Sequence, residues 1–205
     1  MLFRSVDEGF VNAAKANGLE VVANESFIIG QTKDFSAALT KIKQAGAESL
    51  YYMGQYTECG MVLKQVRDLN LDIRVIITTS SYTVDSLKLA GDAAKDVVFM
   101  TAFFYDPANE RLTKFADQAD KEYGATIDNF ILRANDAAWW LFDAFDACES
   151  TDPDVLRQAI IDRGQATFEG IGGTFTLNDE RNVERDFFFM EWNGDAENPA
   201  FVEIK

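Results

Sequence analysis

The chain has 205 residues, 47% apolar and 26% charged, enough for a sizeable core in one large domain or two small ones. With 34 acidic against 19 basic residues, its formal charge of −15 argues against binding a phosphate backbone or docking on an anionic bilayer. There is no histidine, which excludes His-containing triads and His-based zinc sites, and Cys59 and Cys148 fit no metal spacing, so neither metal nor cofactor is expected.

Taken in order, residues 6–17 read as a helix with Phe10, Ala13, Ala14 and Asn17 on one side, closed by Gly18. It arrives almost without a leading strand. "LEVVANESF" reads as a strand, after which Asp34 is expected to cap a helix buried through Phe35, Ala38, Leu39 and Ile42. The short apolar strand "SLYYM" turns at Gly54, and Thr57 opens a helix with Val62, Leu63, Val66 and Leu69 on one face. In an open parallel α/β sheet the loop after a strand lies at the carboxyl edge, where ligands bind. That makes Gln55 and Tyr56 the first candidate contacts. "IRVIITT" has the continuous apolar character of a strand buried on both faces and leaves through the loop "TTSSYT". A helix with Leu87, Leu89 and Ala90 follows, then a strand in "DVVFMTAFF". Strict alternation of helix and strand implies parallel strands joined by right-handed crossovers.

After "FFYDP" the character changes. Two long helices are expected over 109–123, striped by Leu112, Phe115, Ala116 and Ala119, and over 129–149, striped by Ile131, Ala134, Ala138, Leu141 and Phe145. Asp152 and Pro153 start a third by cap and first-turn chemistry. Three successive helices need a flat partner, and none is on offer within their own segment. It is expected in the first domain or outside the sequence. Gly170, Gly172 and Gly173 look superficially like a phosphate loop, but the required lysine and following helix are missing, so they read as a tight turn feeding "TFTLND". "FFFMEW", a turn at "NGD" and "FVEI" close the chain as strands. The first twenty residues lack the unbroken apolar stretch of a signal peptide, and no later stretch is long enough to span a bilayer.

The run "DFSAALTKIKQAGAESLYYMGQYTECGMVLKQVRDLNL", with "AGDAAKDV", "YDPANERLTKFADQADKEYG" and "FEGIGGTFTLNDERN", resembles the type I periplasmic binding proteins. Within that family it is most similar to the leucine/isoleucine/valine-binding receptors of ABC importers. The resemblance implies an α/β fold with one lobe built on a doubly wound parallel sheet and helices of a second, incomplete lobe. It implies residues 1–104 and 185–205 in the second (carboxyl-terminal) lobe and 105–184 as the helical remainder of the first. The rest of the first lobe and the signal peptide are expected to lie outside the sequence.

Site residues carry over only where positions match. Gln55 falls where relatives place a cleft tyrosine, and Tyr56 matches the tyrosine beside it. Thr79 falls where they place the carboxylate that holds a ligand's ammonium group, so an α-amino acid would need Asp85 or a residue of the remaining first lobe to compensate. Without that carboxylate, Thr79, Ser80, Ser81 and Tyr82 offer hydroxyls suited to an amide, urea, carboxylate or other small polar ligand. Phe130 and Phe3 match aromatic wall positions.

The function implied is a substrate-binding component of an ABC importer, capturing a small polar metabolite (an amino acid, amide or related compound) by hinge closure, without catalysis. Its partners would be that ligand and a membrane permease, with no nucleic acid. Its place would be periplasmic or extracellular, membrane-associated through the permease. The alternative is a cytoplasmic ligand-sensing regulator of the same fold. An enzyme is disfavoured because neither a phosphate loop nor a catalytic constellation is present.

Overall fold

The computed structural model describes residues 2–81, 83–103, 108–192 and 201–204, with backbone alone for 2–7, 84, 85 and 201–203. The chain divides into two compact units, Met1–Met100 with Phe189–Lys205, and Thr101–Phe188.

The first unit opens with α1 (Leu2–Ala16), which ends where Gly18 takes a φ of 75° and the Leu19 N–H reaches back to the Ala14 carbonyl. Residues 19–28 form no strand, contrary to the reading of "LEVVANESF". Leu19 is 63% exposed and Val22 42%, and although Val21, Ala23 and Phe27 are half-buried, among the described residues no neighbouring strand pairs with the segment, and strand propensity is realised only against one. The segment is instead tethered by Phe27, whose ring lies 5.3 Å from that of Phe35 and 5.8 Å from that of Tyr52. The cap of α2 (Ser36–Gln44) is displaced by one residue. Phe35 occupies the N-cap position without a side-chain bond, while the Asp34 carboxylate accepts the Ser36 N–H at 2.9 Å. Hydrogen bonding from the Ser36 hydroxyl, and next from its N–H, holds the Asp34 carboxyl below its ordinary pKa.

There follow β1 (Ser49–Tyr52), α3 (Tyr56–Asp68), β2 (Arg74–Ile77), α4 (Val84–Ala90), a 3₁₀ turn at Gly91–Ala94 and β3 (Val98–Thr101). β1, β2 and β3 pair in parallel, with Leu50 opposite Val75, Tyr52 opposite Ile77, and Ile77 opposite Phe99. β7 (Phe188–Trp192) and β8 (Phe201–Glu203) extend the sheet to the order β1-β2-β3-β7-β8, with β8 antiparallel to β7. Leu63 and Val66 of α3, Leu87 of α4, and Ile77, Phe99, Met190 and Trp192 of the sheet are all buried. Their apolar burial supplies the main driving force of this unit. β2 alternates rather than hiding both faces, because Arg74 is exposed and Ile76 only half-buried. In α4, Leu87 and Ala90 are buried while Leu89 is 42% exposed.

The second unit contains α5 (Glu110–Tyr123), α6 (Asn129–Cys148), α7 (Pro153–Gln165) and an antiparallel sheet of β4 (Phe168–Gly170), β5 (Gly173–Leu177) and β6 (Val183–Glu184). Each helix start is capped by the residue before it: Asn109 accepts from Leu112 N–H, Asp128 from Ile131 N–H, and Asp152 from Asp154 and Val155 N–H. For α6 and α7 this unit supplies a flat partner. α6 and α7 lie against each other, α7 lies on β5 and α6 on β4. The short strands after Thr167 therefore do what the helical segment alone could not.

The buried face of α6 is not the predicted stripe. It consists of Asn129, Leu132, Asp136 and Ala144, while Ala134 and Ala138 are exposed and Phe145 is 39% exposed. Asp136 decides the rotation. Its Oδ1 accepts the Ile171 N–H at 2.8 Å and its Oδ2 the Gly172 N–H at 2.9 Å, so the carboxylate holds the β4–β5 turn. A Cβ on Gly170 would fall on that carboxylate. The glycine turn thus binds no phosphate but wraps an internal anion.

Candidate functional site

The carboxyl ends of β1, β2 and β3 are joined by side-chain hydroxyls. After β1, Gly54 is packed under Tyr52 and Phe27 so closely that a Cβ there would lie 2.7 Å from Phe27 Cζ. The Tyr52 hydroxyl donates to the Gln55 carbonyl at 3.2 Å, and burial raises its pKa, reinforced by Cys59 and Glu58. It therefore stays protonated as a donor. After β2, Ser80 Oγ and Ser81 Oγ both donate to the Gly54 carbonyl, at 3.1 and 2.9 Å. Thr78 Oγ1 lies 3.0 Å from each serine oxygen. Thr79 Oγ1 donates to the Met100 carbonyl at the end of β3, at 2.8 Å. Thr83 then caps α4 reciprocally with Ser86.

Of the sequence-predicted residues, Gln55 takes the N-cap position of α3 with its side chain exposed and making no cap bond. Tyr56 is the first residue of the helix rather than a loop residue, and is 45% exposed. Thr79 and Ser80 are half-buried, while Ser81 is wholly buried and Thr78 nearly so. Tyr82 lies outside the described residues, as do the side chains of Phe3 and Asp85. Phe130 belongs to the second unit, on the first turn of α6, and is 49% exposed. Gln55, Tyr56, Thr79, Ser80 and Ser81 are thus brought to one sheet edge.

Sequence reasoning missed Thr78, Gly54 and Tyr52, which hold this edge together. The signal available was the hydroxyl run Thr78–Thr79–Ser80–Ser81 beside a glycine at the neighbouring strand end. It also missed Glu58, which is buried in the first turn of α3; Oε1 accepts the Gly30 N–H at 2.6 Å, and among the described residues Oε2 has no partner. Cys59 beside it is buried and its thiol is pushed up to about 12 by desolvation. Cys148, at the end of α6, is only partly covered.

The second unit carries an open recess of about 350 Å³ lined by Arg111, Trp139, Asp143, Arg163 and Phe168 among others. The Arg163–Asp143 ion pair at 2.7 Å spans it. Among the described residues no three metal-ligating side chains come together, and no helix is long and apolar enough to cross a membrane.

The profile of the family described as "Periplasmic binding protein" matches residues 2–197. The leucine-, isoleucine-, valine-, threonine- and alanine-binding protein of Pseudomonas aeruginosa is 28% identical over 182 residues, covering 87% of this chain and 47% of that protein. Among solved structures, a leucine-binding protein of Thermotoga maritima superposes with a TM-score of 0.80 at 20% identity, over 97% of this chain and 55% of that one. A branched-chain amino acid transporter substrate-binding protein of Streptococcus pneumoniae, in complex with isoleucine, gives 0.75 at 21%, over 95% and 56%. The chain spans about half the length of the curated relatives it matches. Matched by the family profile over nearly all its residues and sharing the fold of these structures, the chain belongs to the periplasmic binding protein family, with the type I, leucine/isoleucine/valine-binding-like fold.

Proposed function

We propose that this chain contributes the ligand-binding edge of the substrate-binding component of an ABC importer, which captures a small polar metabolite and presents it to a membrane permease. The observation that supports it is the likeness, along almost the whole chain, to relatives named for amino acid binding. On this reading Gln55, Tyr56, Thr79 and Ser80 meet the ligand, Tyr82 is a further candidate, and Ser81 braces the loop from beneath. Phe130 and Phe3 are aromatic wall candidates. Binding needs no covalent step. Its energy comes from hydrogen bonds at strand ends and burial as two lobes close about a hinge. The place of action is the periplasmic or extracellular face, with membrane association through the permease.

The test is ligand-detected NMR of the chain against the aliphatic L-amino acids and their amides. Saturable binding of at least one, weakened by Tyr56→Ala, is the expected result. Absence of binding across the panel would remove the proposal.

A further inference from the structure

The hydroxyl row at the carboxyl edge can be counted proton by proton. Thr78, Ser80 and Ser81 make four close contacts among themselves and with the Gly54 carbonyl. Each hydroxyl owns one proton. The two serine protons go to the Gly54 carbonyl, which can only accept, and the proton of the nearly buried Thr78 goes to one of the serine oxygens. The Thr79 proton is committed to the Met100 carbonyl. None of the four hydroxyl protons is left to face outward. What the half-buried Thr79 and Ser80 present instead is lone pairs. Among the described side chains, the carboxylate of Glu58 is 3% exposed and turned to the Gly30 N–H.

Resting on the receptor reading above, we propose that Thr79 Oγ1 and Ser80 Oγ form an uncharged acceptor surface that reads an N–H donor of the ligand, and that the ligand end seated there is a neutral primary amide or urea-like group. The same counting removes a carboxylate from the groups that suit these hydroxyls, because it would set acceptor against acceptor. A site built to accept a hydrogen bond discriminates strongly against an isostere lacking the donor, since its own polar atoms are then left dry and unpaired.

The experiment is an amide-shift titration of the isotope-labelled chain with propionamide, N,N-dimethylpropionamide and propionate. Propionamide is expected to move the resonances of residues 79 and 80, and the other two, which lack the donor, to bind about tenfold more weakly or not at all. Thr79→Val should weaken propionamide about tenfold and Thr79→Ser by less than about twofold. Equal binding of the dimethylated amide or of propionate at those residues overturns the acceptor assignment while leaving the receptor reading standing. If none of the three moves any resonance, the acceptor assignment falls, and the receptor reading is decided by the amino acid and amide panel. The wild-type comparison needs no variant to fold.

Discussion

Replacing Asp136 by alanine removes the carboxylate that holds the β4–β5 turn, and with it the weaker contact from Asn135 Nδ2 at 3.3 Å. The carboxylate is 2% exposed and accepts the N–H groups of Ile171 and Gly172 at 2.8 and 2.9 Å. Truncation leaves both donors facing an apolar gap beside Leu132 and the Gly170 backbone. Hydrogen bonds to a charged partner contribute roughly 1.5–3 kcal/mol each, and a buried donor left unpaired costs a similar amount, so Asp136→Ala is expected to destabilise this unit by about 3–5 kcal/mol. Asp136→Asn retains one acceptor but turns an amide donor toward one N–H, so a loss of about 2–3 kcal/mol is expected. The assay is urea unfolding followed by the fluorescence of Trp140, whose ring meets that of Phe175 edge-on at 5.6 Å within this unit. A loss below about 1 kcal/mol for the alanine variant would refute the reasoning, since that is the range of a solvent-exposed bond.

Gly54→Ala places a Cβ against the Tyr52 hydroxyl and Phe27 Cζ, and overpacking of this kind costs about 1–3 kcal/mol, to be read as a lowered urea midpoint. Thiol labelling should modify Cys148 readily and Cys59 only on unfolding, because Cys59 is 1% exposed; two equally fast phases would contradict the burial. The Cys59 thiol has a pKa raised by burial from 9.0 to about 12, so the folded state keeps a proton that the unfolded chain loses. Its contribution is intact below pH 9 and lost as pH rises from 9.0 toward about 12, with a slope of up to about 1.4 kcal/mol per pH unit. Cys59→Ala should flatten that alkaline decline, and an unchanged slope would show that other groups cause it. Glu191→Ala removes the exposed bridge to Arg74 at 3.3 Å and should change stability by less than about 1 kcal/mol in denaturant titration.

The elements that sequence made legible are those whose signals are local. Asp152 read as a helix start because a cap needs only its own first turn, and "SLYY" into Gly54 into the α3 stripe read as a strand–turn–helix unit because that signal is equally local. What misled was whatever a distant partner decides. "LEVVANESF" has the composition of a strand, but Leu19 and Val22 find no surface to pair against. The α6 stripe was misplaced because its centre is an aspartate, and a hydrophobic pattern cannot see a buried carboxylate satisfied by a turn thirty-five residues further on. At the candidate site the residue types were legible from "TTSSYT" beside the family resemblance, whereas the direction of each hydroxyl proton was not. That direction depends on the Gly54 and Met100 carbonyls, which carry no mark in the sequence of where they will point.

The central claim is that ligand meets this chain at the carboxyl edge of β1 and β2. The most direct measurement is a residue-resolved map of amide-shift changes on saturating the protein with whichever amino acid or amide the panel identifies as binding. The account predicts that the largest changes fall on Gln55, Tyr56, Thr79 and Ser80. Changes concentrated around Arg111, Trp139 and Arg163 in the second unit, with that edge unmoved, would contradict it.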